Sequence, residues 1–354
     1  MNNINDFVIE NGVLTKYTGT DTEVIIPDCI FVIDGYAFSN HTQLIKVTIP
    51  DGVTQIGQYA FVGCTSLRHI DIPESVTEIG TAAFKNCENL LNLELPSKVT
   101  SIEAYTFDGC VKLESVTVPS GVTSIKMNAF RSCSLTSLII PESVTHIEQG
   151  AFIHCNFNEI DLPSALDDIA GELFKYCPVT SITIPNGVKT IGYEAFLGCE
   201  KLASVMLPYG VTTIGKLAFS GCYDLRKVVV PNTVTKFYSG AFNMCKSIAE
   251  IQLPEHLASE EDIQWWKSMF PSDVLTVIAL SNFPENKALM KHAMRTPADR
   301  IKYLINIKRV DLIARFLEYS KKLKNDVIDE LINFAVSNNN AEAFSLLMEY
   351  KNGY

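Results

Sequence analysis

Apolar and polar positions across residues 27–254 recur with a period of 22 or 23 residues. Proline marks the period, at positions 27, 50, 73, 96, 119, 141, 163, 185, 208, 231 and 254. Between prolines the chain reads P-x-x-V-T-x-I-x-x-x-A-F-x-x-C-x-x-L-x-x-(I/V/L)-x-(I/V/L)-P, as in IPDGVTQIGQYAFVGCTSLRHIDIP at 49–73. One copy cannot bury its own apolar face, so ten tandem copies predict stacked units. Ahead of each proline, apolar residues stand two apart, as in Val47 and Ile49, Ile70 and Ile72, or Val116 and Val118. That is strand period, and proline ends the strand because it lacks a ladder donor. The V-T-x-I segment predicts a second, shorter strand, and A-F-x-x-C a short helical turn. The expected architecture is an α/β repeat solenoid with a parallel β-sheet, rising about 4.8 Å per turn and so roughly 50 Å in all.

Each column of the repeat has a physical task. Phe61, Phe84, Phe107, Phe130 and Phe152 share one column with Phe38, Phe174, Phe196, Phe219 and Phe242. Burying a Phe stabilises by roughly 1.5–3 kcal/mol, so this column reads as a spine. Cys64, Cys87 and Cys110 begin a column of nine cysteines that ends at Cys245, with Asn40 expected to fill the place in the first repeat. Disulfides between rungs and a zinc ladder are the rival readings. Co-directional Cβ vectors give poor S–S dihedrals, nine is odd, and no C-x-x-C pair exists, so free structural thiols are expected. Three repeats are one residue short between the cysteine and the next apolar position, at Cys133–Leu135, Cys155–Phe157 and Cys177–Val179. The deletion falls in a loop, and a local bend is expected there.

The repeat unit resembles the BspA-type leucine-rich repeat. The opening segment FVIENGVLTKYTGTDTEVIIPDCI (7–30) is similar to that family's lead-in. We read it as a β-hairpin turning at Asn11-Gly12 and capping the solenoid. The resemblance implies a leucine-rich-repeat right-handed superhelix that works as a non-enzymatic protein–protein interaction module. Similar proteins are often secreted or displayed on cell surfaces, and several take part in host-associated adhesion or recognition.

Beyond Pro254 the pattern changes. Ser259-Glu260-Glu261-Asp262 predicts a helix start, with Ser259 as N-cap. Trp265 and Trp266 then fit a solenoid cap with one ring inward, a ligand site being the sharper alternative, and VLTVI (274–278) predicts a last strand. Residues 309–323 resemble 340–354 at an offset of 31, pairing Asp311 with Glu342 and Leu317 with Met348. These look like degenerate ankyrin-type helical hairpins, with Thr296-Pro297-Ala298 as a remnant of that signature. The expected organisation is a hairpin cap at 1–26, repeats at 27–254, a solenoid cap at 255–283 and helical hairpins at 284–354.

Charge supports the boundary. Residues 1–254 carry 16 Lys and Arg against 26 Asp and Glu, whereas 255–354 carry 13 against 14. The net charge of −11 disfavours nucleic acid as a partner. No apolar run is long enough for membrane insertion, and MNNINDFVIE has no basic segment leading into an apolar one, which reads as cytoplasmic. Nucleotide-loop, zincin and nucleophile-elbow motifs are absent. Six histidines (41, 69, 146, 154, 256 and 292) show no metal spacing and read as solvated. No enzyme activity, cofactor or metal is therefore expected. The partner is expected to be a protein, with a host or cell-surface protein implied by the resemblance and the oligomeric state left open. Variable residues four and two before each proline should form the exposed sheet face. Most are small or polar, and Ile139, Met206 and Val229 are the apolar exceptions. With Arg226 and Lys227 beside them, they are the candidate partner-binding residues. The alternative is an intracellular scaffold joining leucine-rich and ankyrin-like repeats, which ten free thiols would suit.

Overall fold

A computed structural model describes residues 3–320 and 323–353. Of the segments singled out above, Met1, Asn2, Lys321, Lys322 and Tyr354 lie outside the described residues. The chain forms a parallel-strand solenoid of about ten turns, followed by helices. Strand β1 (Phe7–Glu10) turns at Asn11 and Gly12, whose φ values of 51° and 79° suit a tight hairpin, into antiparallel β2 (Val13–Tyr17). β2 then pairs in parallel with Val32–Ile33, so the hairpin covers the first rung. Regular turns carry a three-residue strand before the proline, such as His69–Asp71, and a two-residue strand at T-x-I, such as Gln55–Ile56. Register advances one repeat per rung, with Val47 beside Ile70 and Ile56 beside Ile79.

The A-F-x-x-C segment is not helical. A helix would return every N–H to its own chain, whereas here alternate N–H groups serve the neighbouring rung. Tyr36, Phe38 and Asn40 donate to the carbonyls of Gln58, Ala60 and Val62, while Ala37, Ser39 and His41 donate back to Asp34, Tyr36 and Phe38. This alternation needs left-handed residues, here Tyr36 (φ 64°) and Asn40 (φ 59°), with equivalents in later rungs. Each non-glycine residue in that region costs roughly 1–2 kcal/mol, and the inter-rung hydrogen bonds hold it there.

The Phe column is a continuous stack. From Phe38 to Phe242, successive centroids lie 4.9–6.0 Å apart, and all ten rings are fully buried. Tyr17 extends the stack at one end (5.2 Å) and Phe270 at the other (5.2 Å, planes within 3°). The cysteines form a second inter-rung ladder. Cys64, Cys87 and Cys110 donate to the carbonyls of Phe38, Phe61 and Phe84 at 3.0, 3.2 and 3.2 Å, a pattern kept to Cys245 and Phe219. Burial pushes the Cys64 and Cys177 thiols up to about 12. His41, not Asn40, stands at the cysteine place of the first rung. No earlier Phe carbonyl exists there to receive a thiol, and the His41 ring packs on Tyr17 (5.3 Å) and Phe38 (6.0 Å) instead. Asn40 holds the left-handed place that glycine takes at Gly63.

Two sequence expectations fail beyond the repeats. Ser259 ends a short 3-10 segment (Glu255–Ser259), and Asp262 caps α1 (Ile263–Met269) by accepting from the Gln264 N–H at 2.8 Å. The VLTVI run lies in α2 (Val274–Ser281), not in a strand. Val274 to Leu280 are all buried, so the run is apolar on every side because the helix has no solvent face. Trp266 is fully buried, with its indole N–H donating to the Glu260 carbonyl at 2.9 Å, while Trp265 is partly exposed. Then come α3 (Lys287–Ala293), α4 (Pro297–Asn306), α5 (Val310–Tyr319), α6 (Asn325–Ser337) and α7 (Ala341–Asn352). α4 packs on α5 and α6, and α7 on α5 and α6. Tyr303 donates to the Ile248 carbonyl (3.1 Å) and Arg309 to that of Ala249, tying the helices to the last rung.

Candidate interaction face

In each rung the residue three before the proline points into the core, so its neighbours four and two before point out. Val47, Val116 and Val205 are buried, whereas Lys46, Ser115 and Ser204 are exposed. These outward residues make two parallel rows along the solenoid.

The rows pass over a discontinuity that sequence reasoning did not anticipate. The long-strand ladder runs through Glu23–Ile25, Lys46–Thr48 and His69–Asp71, pairs Asn92–Glu94 with Ser115–Thr117, and resumes at Ser204–Met206. The equivalent segments 137–139, 159–161 and 181–183 form no strand. These belong to the three shortened repeats. Their inward residues Leu138, Ile140, Ile160 and Ile184 remain buried, so the core continues while the ladder stops. A groove of about 500 Å³ opens where the ladder resumes, lined by Ser181–Ile184, Asn186, Ser204 and Met206–Pro208.

The candidate partner-binding residues fall on and beside this stretch. Ile139 (87% exposed) stands within it, and Met206 (64% exposed) stands at its border on the groove. Both lie two before a proline and so share one row. Val229 is half-buried, which weakens its part in the cluster. Arg226 is exposed, but its carbonyl receives the N–H groups of Ala249 and Glu250. Lys227 pairs with Glu250 at 3.1 Å, so the basic spot beside Met206 is partly neutralised. Glu159 and Asp161 project from the interrupted stretch, with Glu159 accepting from the Ser181 hydroxyl at 3.3 Å. The one-residue deletion was visible in the sequence, but the loss of strand pairing there was not.

Other polar groups serve the fold. Asp108 is buried between Lys85 (3.0 Å) and Arg131 (2.8 Å), which come from the rungs on either side. His292 is 6% exposed, contrary to the solvated reading of the histidines. Among the described residues, no group of three or more His, Cys, Asp or Glu side chains is placed to hold a metal. No described helix is long and apolar enough to cross a membrane.

Rungs of 22–23 residues, each with a short parallel strand and a share of a stacked apolar spine, define a leucine-rich-repeat solenoid, a class whose members generally bind proteins. Within that class, the chain belongs to the BspA-type leucine-rich repeat family, whose model ("BspA type Leucine rich repeat region") matches residues 9–135, 100–178 and 167–264. Solved structures of similar fold include a leucine-rich cell surface protein from Faecalibacterium prausnitzii, at 24% identity over 75% of this chain and 95% of that one, TM-score 0.42. A leucine-rich repeat protein from Bacteroides ovatus is 24% identical over 75% of this chain and 89% of that one, TM-score 0.48. The pneumococcal vaccine antigen PcpA is 19% identical over 69% of this chain and 84% of that one, TM-score 0.40. No curated protein matches the sequence.

Proposed function

We propose that this chain is a non-enzymatic interaction module that grips a protein partner through the outward rows of its strand face. The interrupted stretch between Ile139 and Met206 is its centre. The observation that carries this reading is the coincidence of two strongly exposed apolar side chains, one groove and an irregular backbone on the same face. Apolar residues on an exposed face cost solubility and are a recurring mark of binding surfaces. Elsewhere the rows carry mostly polar pairs such as His69 and Asp71 or Asn92 and Glu94, with Ile25 (63% exposed) at the first rung an apolar exception away from the groove. Such a face works by many modest contacts around a few anchors. A host or cell-surface protein is the partner we favour, with repeats at 27–254 as the binding unit and the helices at 284–354 as an end-packed addition. The ten unpaired cysteines favour a second reading, an intracellular scaffold.

The test is binding of the intact chain to a panel of purified extracellular-matrix proteins, followed by the paired substitution Ile139→Asp and Met206→Asp. Both positions are exposed, so the fold should survive. Affinity for a panel partner should fall by about tenfold or more, as loss of central anchors does. Unchanged affinity would remove this face from the account.

A further inference from the structure

We propose that the interrupted stretch takes an extended basic peptide segment of the pattern apolar-x-(Lys/Arg)-x-apolar, laid along the solenoid axis across the rungs. This rests on the interaction-module reading and specifies its partner.

Three features fix the occupant. The first is spacing. Ile139 and Met206 lie in one row three rungs apart, roughly 14 Å at the rung spacing set by the short strands that stay paired here, Ser124–Ile125 with His146–Ile147 and Asp168–Ile169 with Thr190–Ile191. In an extended chain, residues i and i+4 share a face and lie about 13–14 Å apart, so both can meet an anchor while i+2 faces the surface between them. A helix covers only about 6 Å over the same four residues. The second is charge. Between the anchors project the carboxylates of Glu159 and Asp161, and the nearest cation along the rows, Lys227, is already paired with Glu250. A cationic side chain at i+2 therefore meets uncompensated negative charge.

The third is the backbone. Parallel strands alternate their hydrogen-bonding groups between the two neighbours. The Ala203 carbonyl receives the Arg226 N–H, and the Leu207 N–H reaches the Val229 carbonyl, while the Ala203 N–H still donates back to the Thr180 carbonyl at 3.1 Å, so the preceding rung is held at Ala203 and let go beyond it. The Ser204 carbonyl and the Met206 N–H accordingly turn back toward Ile182. Among the described residues no backbone hydrogen bond joins them to it. They face the 500 Å³ groove, where a peptide crossing the rungs can meet them with single hydrogen bonds.

Fluorescein-labelled TLTKTLT and its charge-reversed counterpart TLTETLT are titrated against the intact chain at low ionic strength. The lysine probe should bind about tenfold more tightly. Combining Glu159→Lys with Asp161→Lys should reverse the preference, with circular dichroism confirming the fold. Equal binding of the two probes, a preference that survives the reversal, or no binding of either at millimolar concentration would overturn the proposal. A matrix partner that still loses affinity on Ile139→Asp and Met206→Asp while neither peptide binds overturns the basic-segment inference alone and leaves the interaction face standing.

Discussion

Single residues hold one rung to the next. Each buried cysteine is small enough for the packed interior and polar enough to meet the backbone carbonyl of the Phe one rung earlier, as Cys133 does with Phe107 at 3.2 Å. Threonine of the V-T pair does the same work at the surface, where Thr54 and Thr77 donate to the carbonyls of Phe31 and Thr54. Nine of the ten thiols are buried, and only Cys29 is exposed. Titration with a thiol reagent in the absence of reductant should therefore find about one reactive group in the native protein and about ten after denaturation. Fewer than ten after denaturation would mean that rungs are joined by disulfides. The periodic columns were legible because each carries one chemistry through ten copies. The first rung was not, because His41 answers to a hairpin where every later rung answers to another rung.

At the level of elements, the sequence reports strands and turns better than it reports the helices that close the solenoid. The two-residue period around Val47 and Ile70 names its strands directly. The VLTVI run carries β-branched residues, yet the space it fills is enclosed on all sides and takes a helix. Tertiary context overrides propensity there. Phe270 was likewise missed as the last ring of the spine, since it follows a helix and not an A-F segment. The packing of α1, α3 and α4 also creates a pH dependence. His292 of α3 is buried, and desolvation, with Arg300 of α4, then Lys267 of α1 and Arg295, holds its pKa below the usual value, while the Ser272 backbone opposes this. Asp273 is paired with Arg300. The folded state thus binds fewer protons than the unfolded state. The stability gained from a neutral His292 is complete above about pH 6.5 and is lost as pH falls through the lower folded value. The melting temperature should drop between about pH 7 and pH 5, and His292→Leu should flatten that drop. An equal slope in the variant would assign it to other groups.

Over the whole molecule, two kinds of continuity run along one axis and only one is unbroken. The phenyl stack passes from Tyr17 to Phe270 through every rung. The long-strand ladder lapses between His69–Asp71 and Asn92–Glu94, then stops after Ser115–Thr117 and resumes only at Ser204–Met206. The longer break coincides with the three repeats that lack one residue, where the core stays intact and the face changes. The sequence located the deletion and the outward rows. It did not reveal the break, because strand pairing depends on where two rungs place their carbonyls and not on either rung alone. Hydrogen exchange followed amide by amide measures the break directly. The Ser204 and Met206 amides should exchange quickly while those of Lys227 and Val229, one rung along in the resumed ladder, stay protected. Equal protection of all four would show a continuous ladder and contradict the account of the interaction face.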